Sequence, residues 1–182
     1  MLDLKAIDKT WTLFLDRDGV INHETVGSYV TKWDEFIFYD GVLEALNIFT
    51  EKFNRIIIIT NQRGVSKGLM SETDLNDIHH NMQQQVNAAG GQIEAIYYCI
   101  DLENESPNRK PNPGMGLMAK NDFPDIDFTR SIMIGNTMGD MEFGKNIGAK
   151  TIFIASNRPA PSLPHLQVDA VYPTLISVAK DL

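Results

Sequence analysis

Two aspartates, Asp16 and Asp18, stand one residue apart where the apolar run Leu13-Phe14-Leu15 meets Gly19. At the end of a buried strand, one carboxylate could attack phosphorus while the other protonates the leaving oxygen and later activates water. Acids this close repel each other, so the pair calls for a cation, and an all-oxygen site suits Mg²⁺. A strand-ending Asp-x-Asp-Gly turn needs none of this chemistry, and the motif alone leaves both readings open.

Three later places supply partners. The run Ile56-Ile57-Ile58-Ile59 ends on Thr60 and Asn61, a hydroxyl and an amide able to hydrogen-bond a transferring phosphoryl group. Within Arg109-Lys110-Pro111-Asn112-Pro113-Gly114, Lys110 can balance the carboxylates and an incoming phosphate. After Ile132-Met133-Ile134-Gly135 come Asn136 and Asp140, both with oxygen to offer a metal. Each also has a plain alternative: a turn for Thr60 and Asn61, a solvated lysine, a helix cap at Asn136. The combination of the four carries the argument.

The elements that must position these residues are legible from periodicity. Short β-branched runs predict strands at 11–15, 55–60, 95–99, 131–135 and 150–154, and three- and four-residue apolar spacing predicts helices at 42–52, 72–89, 115–122 and 140–147. Ser71 with Asp74 resembles a capping box, and Gly90-Gly91 a helix end. Near-continuous apolar strands alternating with helices imply a three-layer α/β/α sandwich with a doubly wound parallel sheet. In such sheets ligands bind beyond the carboxyl ends of the strands, where all four motifs fall. The proline-rich stretch at 158–164 is expected to lead a terminal strand and helix back onto the sheet, so residues 1–182 read as a single domain.

The chain has 182 residues, 43% hydrophobic and 22% charged, as ordinary globular proteins do. No apolar run approaches a membrane span and no leader pattern opens the chain, so a cytoplasmic location is expected. A net charge of −8 argues against nucleic-acid binding, while Arg63, Lys67, Arg109 and Lys110 suffice for a small anion. One cysteine, Cys99, excludes an internal disulfide and a cysteine-based zinc site. The letters Gly114-Met115-Gly116 follow no strand and are rejected as a dinucleotide loop, and His79-His80 reads as the solvated face of a polar helix.

The four motifs in this order resemble the haloacid dehalogenase superfamily of aspartate-nucleophile phosphatases. More narrowly, the motifs at 16–22, 60–62, 96–99 and 109–115 look like the subgroup with D-glycero-D-manno-heptose 1,7-bisphosphate phosphatases and histidinol-phosphate phosphatases. The resemblance implies that Asp16 is the nucleophile, Asp18 the acid and base, and that Thr60 and Lys110 stabilise phosphoryl oxygens. It also implies Asn61, Arg63 and Arg109 as substrate contacts, and Mg²⁺ on Asp16, Asp18 and Asn136, with part of that role shifting to Asp140. A small phosphorylated substrate follows, a sugar phosphate first and the heptose bisphosphate ahead of histidinol phosphate, with no obligate protein partner. Two departures stand out. The family motif presents an aspartate where this chain has Asn136, which raises the alternative of a catalytically impaired, phosphate-binding homologue. The loop after Cys99 lacks the Cys and His ligands with which relatives hold a structural zinc, so none is expected here. The intervals between motifs are too short for a large cap domain, so the site should be open.

Overall fold

The computed structural model describes residues 2–24 and 28–182. Six strands, β1 (Thr12–Leu15), β2 (Arg55–Asn61), β3 (Ala95–Cys99), β4 (Ser131–Gly135), β5 (Lys150–Ile154) and β6 (Ala170–Tyr172), form one sheet in the order β3-β2-β1-β4-β5-β6. All five pairings are parallel. The connecting helices are α1 (Val42–Lys52), α2 (Glu72–Ala88), α3 (Gly114–Asp122), α4 (Met138–Ile147) and α5 (Leu175–Asp181).

The apolar runs are strands rather than helix pieces because both of their faces are covered. Leu13, Leu15, Ile56, Ile58, Ile132 and Ile134 join Leu46, Phe49, Leu75 and Val178 in a core under α1, α2 and α5. The alternate residues Phe14, Ile57, Ile59 and Met133 pack with Met115, Phe143 and Ile147 of α3 and α4. Period-two alternation thus separates two apolar layers rather than core from water.

The chain lays β1, β2 and β3 outward in one direction and β4, β5 and β6 in the other. The reversal falls between β1 and β4, so a crevice opens beyond their ends. Asp16 and Asn136 are the first residues past those two strands, and the Asp16 amide still donates to Ile134 O at 3.0 Å. Among the described residues, the interval from β1 to β2 holds a short aromatic-rich turn and α1 rather than an inserted domain.

Expected and observed elements differ in one informative place. Helix α4 begins at Met138 rather than at 140, because Thr137 caps it: Thr137 Oγ1 accepts from the Asp140 amide at 3.3 Å, and Asp140 Oδ2 accepts from the Thr137 amide at 3.0 Å. Gly139 weakened the periodic signal there. The anticipated terminal strand and helix are β6 and α5, and the capping box at Ser71 and Asp74 is formed.

His79 overturns the expectation of a solvated face. It is 5% exposed, on the inner side of α2, while His80 is exposed. Sequence spacing gave no sign that a buried arginine would meet it. Among the described residues, no helix is long and apolar enough to cross a membrane.

Candidate active site

A cavity of about 190 Å³ opens beyond β1 and β4. It is lined by Asp16, Asp18, Thr60, Asn61, Lys110, Asn136 and Asp140, joined by Glu24, Ser28, Tyr29, Val30 and Thr137. Of the candidate site residues and cations named from the sequence, Arg63, Lys67 and Arg109 are absent from its wall.

Lys110 is the hub. Its ammonium reaches Asp16 Oδ1 at 2.9 Å, Asp140 Oδ1 at 2.5 Å and Ile59 O at 2.8 Å. Burial alone would lower its pKa, but Asp140 and Asp16 together hold it above the usual lysine range. Asn61 places this lysine: its Oδ1 accepts from the Lys110 amide at 3.1 Å and its Nδ2 donates to Lys110 O at 3.2 Å. Both ends of the Asn61 amide are therefore spent on the Lys110 backbone.

Asp16 also accepts from the Arg17 amide through Oδ1, at 2.8 Å, while no protein donor reaches Oδ2 among the described residues. Burial, reinforced by Asp140, pushes its carboxyl up to about 7 despite Lys110. Asp140 is fully engaged, Oδ1 by Lys110 and Oδ2 by Thr137 Oγ1 at 2.7 Å. Gly135 permits that arrangement, since a Cβ there would lie 2.2 Å from Asp140 Cβ.

Asp18 is clamped from three sides. Arg17 Nη2 donates to Oδ1 at 2.8 Å and to Oδ2 at 2.9 Å, Asn22 Nδ2 to Oδ1 at 2.9 Å, and Gln62 Nε2 to Oδ2 at 2.8 Å. Burial opposes ionisation, yet Arg17, Asn22 and Gln62 outweigh it and hold Asp18 below the usual carboxylate range. The Arg17 guanidinium is itself buried, and its Nη1 lies 3.1 Å from His79 Nε2. Because guanidinium only donates, that nitrogen must accept, and burial with the Arg17 charge lowers the His79 pKa to about 3. Gln62 also donates to Thr60 Oγ1, at 2.9 Å. Arg17, Gln62 and His79 were not assigned roles from the sequence; the one available signal was a cation between two acids at a strand end.

Asn136 is 1% exposed. Its Nδ2 donates to Glu24 Oε2 and to Asn157 Oδ1, both at 3.1 Å, while its Oδ1 is buried without any partner. Gly19, at φ 82°, lies directly under this amide, and a Cβ there would come within 1.9 Å of Nδ2. Gly19→Ala is therefore expected to cost more than the ~1–2 kcal/mol of left-handed strain alone, read as a lower melting temperature in thermal unfolding. An unchanged melting temperature would mean that Asn136 moves aside freely.

Arg63 faces the loop after β3 instead of the cavity. Its Nη2 donates to Leu102 O at 2.5 Å and Asn104 Oδ1 at 2.6 Å. Arg109 Nη1 donates to Asp101 O at 3.4 Å, and burial, with Arg63 nearby, disfavours its charge. Asn112 Nδ2 adds bonds to Asn104 O at 2.9 Å and Ser106 O at 2.8 Å. Arg63→Ala should accordingly leave kcat within a few fold and speed limited proteolysis between residues 101 and 108. A large kcat loss with an equally resistant loop would return Arg63 to the substrate.

A strand-end carboxylate, a buried lysine joining it to Asp140 and a parallel sheet are the features that the chain shares with a known class of phosphatases. The chain belongs to the haloacid dehalogenase-like phosphatases, and the family described as polynucleotide kinase 3 phosphatase matches residues 12–160. It is 38% identical over 140 residues to the D-glycero-alpha-D-manno-heptose-1,7-bisphosphate 7-phosphatase of Mycobacterium tuberculosis (strain CDC 1551 / Oshkosh), covering 76% of this chain and 74% of that one. A similarly named protein of Campylobacter jejuni is 38% identical over 148 residues, covering 81% and 84%. The solved D,D-heptose 1.7-bisphosphate phosphatase from B. bronchiseptica, complexed with magnesium and phosphate, superposes with a TM-score of 0.79 at 25% identity, covering 93% of this chain and 96% of that one.

Proposed function

We propose that this chain is a cytoplasmic, Mg²⁺-dependent phosphatase of a small sugar phosphate, with D-glycero-D-manno-heptose 1,7-bisphosphate as the substrate and its 7-phosphate as the group removed. The observation that carries the reading is the buried Lys110 ammonium between Asp16 and Asp140, with a third carboxylate, Asp18, held in the same cavity by Arg17, Asn22 and Gln62. Names and sequence identity of the relatives support the sugar bisphosphate. The net charge of −8 weighs against the polynucleotide end that the family description mentions.

Asp16 attacks phosphorus, forming an aspartyl-phosphate and expelling the sugar alkoxide. Lys110 and Thr60 Oγ1 receive the charge that grows on the phosphoryl oxygens. Asp18 protonates the leaving oxygen and then takes a proton from the water that opens the intermediate. Its clamp favours the carboxylate needed for the second step; an incoming phosphate dianion raises its proton affinity for the first.

The residues present fit a hard divalent cation. Asn136 Oδ1 is a buried oxygen with no partner, and Asp16 stands beside it in the same cavity. Among the described residues no three His, Cys, Asp or Glu side chains cluster for a metal, so a cation here would draw on the Asn136 amide oxygen beside Asp16 and, as the family resemblance implies, on the main-chain carbonyl of Asp18. Asp140, with both oxygens engaged, serves as the anchor of Lys110 rather than as a ligand. When bound, Mg²⁺ screens repulsion between the anionic nucleophile and the phosphate.

The test is phosphate release with Mg²⁺ from the heptose bisphosphate, histidinol phosphate, hexose phosphates and a 3′-phosphorylated oligonucleotide. The heptose bisphosphate is expected to give the highest kcat/KM. A higher value for another substrate would overturn the assignment. No turnover at high Mg²⁺, with activity restored by Asn136→Asp, would establish an impaired homologue instead.

A further inference from the structure

A neutral amide at 136 is a weaker cation ligand than a carboxylate, and an amide can also turn its NH₂ to a metal instead of its oxygen. Both weaknesses are met by one side chain. Glu24 Oε2 accepts from Asn136 Nδ2 at 3.1 Å and from Asn157 Nδ2 at 3.0 Å. The second bond fixes the Asn157 amide too, so that its Oδ1 accepts from Asn136 Nδ2 at 3.1 Å. Turning Asn136 over would press its oxygen against two oxygens that only accept. With both Nδ2 hydrogens used, Oδ1 is left buried and partnerless on the other side.

The bracket is tied down across three loops. Glu24 Oε1 pairs with Arg158 Nη2 at 2.5 Å, from the segment after β5. In the same segment Ser156 Oγ donates to Gly19 O at 2.5 Å, fixing the glycine turn that lies under Asn136. Each Glu24 oxygen is already engaged, Oε2 by two amides and Oε1 by Arg158, so its carboxylate orients other groups rather than binding the cation itself.

We infer that Glu24 is a positioning residue for the divalent cation: it turns Asn136 Oδ1 into the site and supplies, one hydrogen bond away, the negative charge that the amide lacks. This rests on the Mg²⁺ reading above. Such outer partners of a ligand typically govern ~10–100-fold in metal affinity.

The experiment is calorimetric titration of metal-free protein with Mg²⁺ and Mn²⁺, with Mn²⁺ electron paramagnetic resonance as a second readout. Glu24→Ala is expected to weaken binding by ~10-fold or more. Glu24→Gln keeps one acceptor but loses the charge, and should fall in between. Melting curves in EDTA check that both variants remain folded; Glu24→Gln, being nearly isosteric, keeps the test alive if the alanine variant does not. Asn136→Asp sets a new carboxylate against Glu24, so it should gain little affinity in the wild-type background and clearly more in Glu24→Gln. Wild-type affinity in both Glu24 variants, or an equal Asn136→Asp gain in both backgrounds, overturns the inference while leaving the Mg²⁺ reading intact. A wild-type protein that binds neither cation, with turnover indifferent to EDTA, overturns both.

Discussion

Asp16→Asn is expected to remove turnover, by ~10⁴-fold or more, from a protein that remains folded. The amide has the shape of the carboxylate and can keep the hydrogen bonds from Lys110 and the Arg17 amide through its oxygen, but it cannot form the acyl-phosphate. Stopped reactions should likewise show no phosphorylated protein. Turnover within tenfold of wild type would remove Asp16 from the nucleophile role.

The same variant tests the electrostatics with a separate readout. Burial and Asp140 raise the Asp16 pKa from an ordinary 3.8 to about 7 in the metal-free fold. A group raised on folding contributes stability that is fully present below its unfolded value and is lost as pH rises through its folded value. Between pH 4 and about 7, then, metal-free wild type should lose stability that Asp16→Asn retains. In melting experiments in EDTA, the variant should gain on wild type from pH 5 to pH 8. A gap that does not change with pH would show that Asp16 is not shifted.

Lys110→Met should have the second large effect, on stability and catalysis together. The lysine side chain is 3% exposed, and its partners Asp16 and Asp140 are 12% and 2% exposed, so the substitution leaves two buried carboxylates facing each other without a cation. Breaking a buried pair in this way costs ~3–5 kcal/mol, a large part of the ~5–15 kcal/mol that holds a domain folded. For a chain of this size the melting temperature should drop by ~10 °C. The loss should shrink at pH 5, where Asp16 takes up a proton. Adding Asp140→Asn, which keeps the cap to Thr137, should recover part of the stability and none of the activity. Full recovery of turnover in the double variant would reduce Lys110 to a structural counter-ion.

The lysine shows why so much of the architecture was legible and the site only partly so. Strands at 55–60 or 150–154 announce themselves because a parallel sheet covered on both faces demands continuous apolar residues, a local and uninterrupted signal. Helix α4 was placed late because Gly139 interrupts its periodicity while the cap at Thr137 depends on a side chain three residues on. Asp16, Thr60 and Asn136 are identifiable because each stands at the end of an apolar run, and strand ends of such a sheet converge on one edge.

What the sequence determined by itself was the class of fold, the order of its elements and the group of polar residues delivered to the sheet edge, since these follow from periodicity and chain order. Only the tertiary structure decided who pairs with whom. It set the Asn61 amide on the Lys110 backbone, gave Asp140 to that lysine, tied Arg63 to the loop after β3, and buried His79 against Arg17. It also brought Glu24 and Asn157 to Asn136 from segments far apart in the chain. The physical reason is range: apolar patterning acts between neighbours in sequence, whereas a hydrogen bond or ion pair is settled by ångström-scale distances across the sheet, which no spacing of letters records.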